Sequence, residues 1–174
     1  MTTFAERVMG AARLNAATYE EVEADETATG QALAVVVLSS VAGGIGAAGL
    51  GTAGVVAGTI GALVGWVAWA ALTYVIGTQL LPEPQTNANV GQLLRTIGFA
   101  GAPGVFRIFG IIPVLGGLVY LVVSVWLLVA MVIAVRQALD YKSTARAVGV
   151  CLIGWLVSLA IAAVIAVMFT RTVF

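Results

Sequence analysis

From Gly54 to Leu80 the chain runs for 27 residues without one charged side chain, and no other feature restricts its fold so tightly. A bilayer core about 30 Å thick takes roughly 20 helical residues to cross. Every backbone amide inside it must be paired, so an uncharged run of this length is a membrane helix rather than a loop or an open sheet edge. Gln31 to Leu50 also meets the length requirement. Leu81-Pro82-Glu83-Pro84-Gln85-Thr86-Asn87 is polar and proline-rich and reads as a loop. Beyond it lie Arg95 to Ile112, interrupted by Pro103 and Arg107, then Pro113 to Val135 and Val148 to Thr170. The pattern predicts an all-α polytopic membrane helical bundle of five transmembrane helices, at about 31–50, 54–80, 95–112, 113–135 and 148–170.

The composition agrees and removes several functions. Of 174 residues 61% are hydrophobic and 9% charged, whereas a soluble domain has roughly half its residues apolar and a quarter charged. Basic and acidic residues number 8 each, so no basic excess exists to hold nucleic acid. There is no histidine, and Cys151 is the one cysteine, placed in an apolar run. Disulfide frameworks and the usual zinc or copper ligand sets are excluded, and no metal or cofactor is expected. No GxSxG is present, no histidine base is available, and the only acid after Glu83 is Asp140. The expectation is a non-enzymatic protein whose partners are the lipid bilayer and other membrane proteins or a second copy of itself.

Residues 1–30 form a separate segment with six acids against two arginines, a formal charge of −4. It lacks the basic-then-apolar order of a signal peptide, so retention is expected. Phe4, Val8, Ala11 and Ala12 recur at helical spacing, which predicts a short amphipathic helix on the membrane surface. Thr18 and Glu21 have capping-box spacing, placing the start of a second helix near Tyr19. The chain thus divides into a cytosolic segment, 1–30, and a membrane domain, 31–174. With five spans, Arg7, Arg13, Arg95, Arg136, Lys142 and Arg146 share one side and Arg107 and Arg171 the other. The positive-inside rule then puts the N-terminus in the cytoplasm and the C-terminus outside, in the inner membrane if the cell is bacterial.

Three groups of residues are candidates for a specific role. Gly54, Gly58, Gly61 and Gly65 fall on one helical face with two GxxxG pairs, a groove that another helix can approach closely. The same groove serves packing against the glycine-rich first span or self-association, and the residues alone leave both open. LLRTIGFAGAPG, Leu93 to Gly104, sets Arg95 at the inner boundary and Gly98, Gly101, Pro103 and Gly104 just beyond. Pro103 has no amide donor and clashes with the carbonyl of Phe99, which predicts a kink or local unwinding. Carbonyls so freed must be buried in the bundle or face a hydrated cavity. Arg107 lies about 18 Å beyond Arg95 at helical rise, in the outer half, where it either snorkels to headgroups or forms an intramembrane site. Finally Arg136 and Asp140, four apart, share a helical face, and Arg95 emerges on the same side, which predicts an Arg95–Arg136–Asp140 cluster. Ser143 or Thr144 caps the last span.

The order of FAERV, TYEEVEADETATGQA, LLRTIGFAGAPG and WLLVAMVIAVRQALD before a GW-containing last span resembles the Yip1-domain family of small multi-pass membrane proteins, in its bacterial branch. The resemblance covers nearly the whole chain. It implies a five-span domain with a cytosolic N-terminus. Eukaryotic members are associated with Rab GTPases and Golgi vesicle traffic through a long cytosolic N-terminal region. Only about thirty residues precede the first span here, so a Rab-binding role is not the expectation for this chain. The expected function is a membrane-organising or adaptor protein acting through helix–helix contacts. The alternative is a small-solute or ion transporter or channel using the broken third span.

Overall fold

The computed structural model describes residues 2–47 and 51–172, and all regular elements among them are helical. Helix α1 (Phe4–Ala12) opens with a capping box in which Thr3 and Glu6 satisfy each other's backbone amides. Leu14, at φ 62°, turns the chain into α2 (Ala16–Ala24), whose N-cap Asn15 accepts from the amide of Ala17. The cap pair is therefore Thr3 with Glu6 and not Thr18 with Glu21. Thr18 sits inside α2, against Gly10, because Asn15 starts the helix earlier.

A 3₁₀ turn (Glu26–Ala28) leads into α3 (Thr29–Gly46), followed by α4 (Gly51–Val75), which ends in a π-turn (Ile76–Leu80). After the proline-rich loop come α5 (Val90–Ala100), a 3₁₀ stretch (Ala102–Ile111), α6 (Gly116–Ala138) and α7 (Thr144–Thr172). Among the described residues four helical stretches are long and apolar enough to cross a membrane: Glu26–Gly46, Gly51–Leu80, Gly116–Ala138 and Thr144–Val164. The segment predicted as a third continuous span is instead the 11-residue α5 joined to ten residues of 3₁₀ helix. Residues 48–50 and 173–174, where the predicted first span ends and where the chain ends, lie outside the described residues.

The cause of that break is local. Pro103 lacks the donor that would continue α5, and Gly101 caps the helix with αR geometry. From there bonds one residue shorter take over, Gly101 N to Gly98 O at 3.1 Å and Gly104 N to Gly101 O at 2.8 Å. The Gly101 carbonyl also accepts from Ser39 Oγ of α3 at 2.7 Å, as a backbone oxygen deprived of its helical partner requires.

Contacts fix the direction of each element. A Cβ on Gly98 would stand 2.7 Å from that of Ala32, Gly104 lies against Ser39, Gly43 against the Arg107 side chain, and Gly46 against the Arg107 carbonyl. Moving along α3 from Ala32 to Gly46 thus follows α5 and the 3₁₀ stretch from Gly98 to Arg107 in the same direction. Helix α4 runs back, with Val55 on Gly44 and Thr59 hydrogen-bonded to Ser40 at 3.2 Å. Helix α6 begins near Gly43, where Tyr120 donates to its carbonyl at 2.7 Å, and ends near α2, where Gln137 donates to Glu20 at 2.6 Å.

Of the two uses open to the α4 glycine groove, close packing of Gly58, Gly61 and Gly65 against the first span is not made among the described residues. Gly58, Gly61 and Gly65 are exposed, with no atom of the described residues where a Cβ would reach, and Gly54 is only half-buried. Helix α3 turns its small residues to α5 and the 3₁₀ stretch and meets α4 through Ser40 and Gly44 instead. Close approach in the bundle belongs to that other seam.

Candidate functional site

The N-terminal helices are clasped to one end of the bundle by two buried arginines. Arg7, 4% exposed, forms ion pairs with Glu21 at 2.9 Å and Asp25 at 2.8 Å and donates to Gln31 at 3.2 Å. Arg95, 6% exposed, donates through Nε to the carbonyls of Val22 at 3.0 Å and Glu23 at 3.1 Å, and through Nη2 to Glu23 again. Trp126 of α6 donates to Ala12 O at 2.8 Å, and buried Tyr19 donates to Ala11 O at 3.0 Å. So α1 is not a separate surface helix. Phe4, Val8 and Ala12 face Val35 of α3 and Phe106 of the 3₁₀ stretch across an apolar groove.

The predicted Arg95–Arg136–Asp140 cluster is not assembled. Helix α6 ends at Ala138, and Asp140 adopts φ 54°, so Arg136 and Asp140 do not share a helical face. Arg136 donates to Tyr141 O at 3.2 Å, Asp140 is exposed, and among the described residues no ion pair joins Asp140 to either arginine. The acid that organises this boundary is Glu83. It accepts from the amides of Lys142 at 3.0 Å and Ser143 at 3.2 Å and faces Arg146 at 3.6 Å. The Lys142 amide, then the Gln85 amide group and the Ser143 amide, hold its carboxyl below the usual carboxylate range. Tyr141 closes the turn, its one hydroxyl hydrogen shared between the carbonyls of Gly77 and Leu81 at 2.8 and 2.7 Å. Ser143 caps α7 through the amide of Arg146 at 3.4 Å, as expected.

Glu23 is the perturbed acid of this end. Its pKa is pushed up from 4.5 to about 7, by burial first and then by Asp140, with Arg95 pulling the other way and Glu20 adding a little. A carboxyl whose folded pKa is raised contributes stability that is complete below its unfolded pKa and is lost as pH rises through the folded value. Wild type should therefore lose stability between about pH 4.5 and 7 through this group. Glu23→Gln should melt higher than wild type above pH 7, by about 2 kcal/mol once the water reaching a half-buried group is allowed for, with the difference vanishing near pH 4.5. Parallel melting curves at pH 5 and pH 8 check this.

Arg107 does not snorkel outward. Its guanidinium turns back into the bundle, 5.7 Å above the Tyr120 ring and 3.4 Å from Ser124 Oγ, because its own carbonyl is packed on Gly46 at the end of α3. There it lines a cavity of about 690 Å³ between α4, α6 and α7, with Trp69, Ser124, Met131, Cys151 and Trp155 among the walls. Pro103 and Gly98 are buried in the α3 seam and support this arrangement from behind. Among the described residues no group of three or more His, Cys, Asp or Glu could hold a metal. The clasp by Arg7 and the role of Glu83 escaped the sequence reading. Arg7 with Glu21 carried no motif, and the tie between Glu83 and residues 142–146 spans some sixty positions.

No curated protein and no solved structure matches the chain. The Yip1 domain model matches residues 14–166, most of the chain, and assigns it to the domain family as a whole rather than to a branch. With four bilayer-length apolar helices among the described residues and a match of that extent, this chain is a multi-pass membrane protein that belongs to the Yip1-domain family.

Proposed function

We propose that the protein is a non-enzymatic membrane adaptor that recruits another membrane protein laterally, helix against helix, along α4. The observation that carries this reading is the uncovered face of Gly58, Gly61 and Gly65. Lipid tails are as apolar as leucine, so helices associate in a bilayer through close packing rather than through hydrophobicity, and small-residue grooves permit it. The groove lies on a helix that the rest of the bundle holds from its other side.

The topology proposed with it has five traverses, N-terminus in the cytoplasm. What supports this is the parallel course of α3 and the α5–3₁₀ unit, whose 21 residues rise about 36 Å at helical geometries. An impermeant outside thiol reagent should label Thr52→Cys but not Thr2→Cys or Asn87→Cys in intact cells. Labelling at Asn87 overturns the topology.

Crosslinking in native membranes followed by affinity purification tests the adaptor reading. A membrane protein recovered reproducibly with wild type should be lost from Gly58→Leu and Gly61→Leu while both variants remain folded. Retention of the same partner by both variants overturns the α4 assignment, and solute flux through the purified protein in liposomes would favour transport through the broken third segment instead.

A further inference from the structure

We propose that the cavity between α4, α6 and α7 is a binding site for an anionic amphiphile from the bilayer, its carboxylate or phosphate oxyanion held by Arg107 and its chain lying along the apolar walls. Three observations converge on one space. The first is a charge. A guanidinium stays protonated in proteins, and among the described residues no carboxylate pairs with Arg107. Its polar contact is a neutral hydroxyl at 3.4 Å and its remaining support is the face of Tyr120. A cation so placed at membrane depth is costly unless an anion joins it.

The second observation is a pair of orphan donors. Arg107 Nε–H and Trp69 Nε1–H are buried without a hydrogen-bond partner among the described residues, and both residues line this cavity. Buried polar groups left unpaired are few in folded proteins, and each calls for an explanation. By contrast Trp66 and Trp126 donate to backbone carbonyls at 2.9 and 2.8 Å. The two orphans therefore mark this cavity rather than a general looseness of the indoles.

The third is shape and chemistry. At about 690 Å³ the space falls within the usual range for small-molecule sites. From Arg107 and Ser124 the walls continue through Met131, Cys151 and Trp155, a polar end followed by apolar side chains. Along α6, Ser124 to Val132 is about 12 Å at helical rise, a slot suited to part of an alkyl chain. A small hydrated anion would leave those walls unmatched, and an uncharged chain would leave the guanidinium unpaired.

The test uses the full chain in phosphatidylcholine nanodiscs and its own tryptophan emission. Trp69 and Trp155 line the cavity, so 9,10-dibromostearate, a chain carrying heavy-atom quenchers, reports occupancy directly. At pH 8.5 the acid should quench wild type at about tenfold lower concentration than its methyl ester, which is 1.4 kcal/mol for the charged contact. Arg107→Gln should bring the two curves together, and Trp69→Phe with Trp155→Phe should remove the high-affinity phase. Equal quenching by acid and ester in wild type overturns the proposal without recourse to any variant. So does a preserved acid preference in Arg107→Gln, or high-affinity quenching that survives in the double Phe variant. Displacement of the acid by inorganic phosphate at similar concentration would make this a site for a soluble anion and overturn the amphiphile.

Discussion

Gly46→Val should leave little folded protein in mild detergent, whereas Gly58→Leu, a larger addition on another membrane helix, should melt as wild type does. Any Cβ on Gly46 overlaps the backbone carbonyl of Arg107. The obstacle is main chain rather than the end of a flexible side chain, so relief requires α3 and the 3₁₀ stretch to separate. Separation would break the Ser39 to Gly101 bond and the Tyr120 to Gly43 bond as well. We expect a loss above about 4 kcal/mol, a range reserved for disrupted cores and a large share of the stability of an ordinary domain. At Gly58 no atom of the described residues lies within reach of an added Cβ, and the change should stay within about 0.5 kcal/mol. Yield and thermal midpoint by size-exclusion chromatography distinguish the two. Tolerance of Gly46→Val with loss of Gly58→Leu would relocate the tight seam to α4.

The second large effect is expected at Arg95. Arg95→Met keeps most of the stem volume but removes every donor from the carbonyls of Val22 and Glu23. Buried acceptors left without donors cost about 1–3 kcal/mol each, and the sum should release α2 from α5 while the bundle stays folded. Amide exchange across residues 2–28 should accelerate by more than tenfold, with α6 unchanged. Arg95→Lys should recover only part of the protection, since a point-like ammonium cannot reproduce the planar fork that serves two carbonyls. Unchanged exchange in Arg95→Met would assign the clasp to Arg7, Trp126 and Gln137 rather than to Arg95. Release of α2 would also return Glu23 to water, so the variant's loss of stability between about pH 4.5 and 7 should shrink in step.

The boundary residues illustrate where reading by spacing succeeds and where it does not. Ser143 as the cap of α7 and the break at Pro103 were legible, because each depends on residues within a turn of one another. The separation of Arg136 from Asp140 was not legible, for one reason. Four-residue spacing brings side chains together only inside a helix, and α6 stops two residues before Asp140. Arg107 was legible as an unusual cation but not in direction, since whether it turns out or in depends on Gly46 holding its backbone.

By itself the sequence determined that this chain lives in a bilayer as helices, for hydrocarbon admits no unpaired amide and long uncharged runs leave no other solution. It also determined the weak point of the third segment and the lack of a histidine or a carboxylate dyad for chemistry. Only the tertiary structure decided which small residues touch. The α4 stripe and the Gly43, Gly46, Gly98 and Gly104 set look equally able to admit a neighbour. A glycine records permission for close approach, not the identity of what approaches. It likewise decided the partners of the charges. Arg7 with Glu21 and Asp25, Arg95 with two carbonyls, Glu83 with two amides and Arg107 in its cavity are each set by segments that meet only after the bundle has formed. Electrostatic pairing depends on distance in space and on burial, and neither is written in the order of residues along the chain.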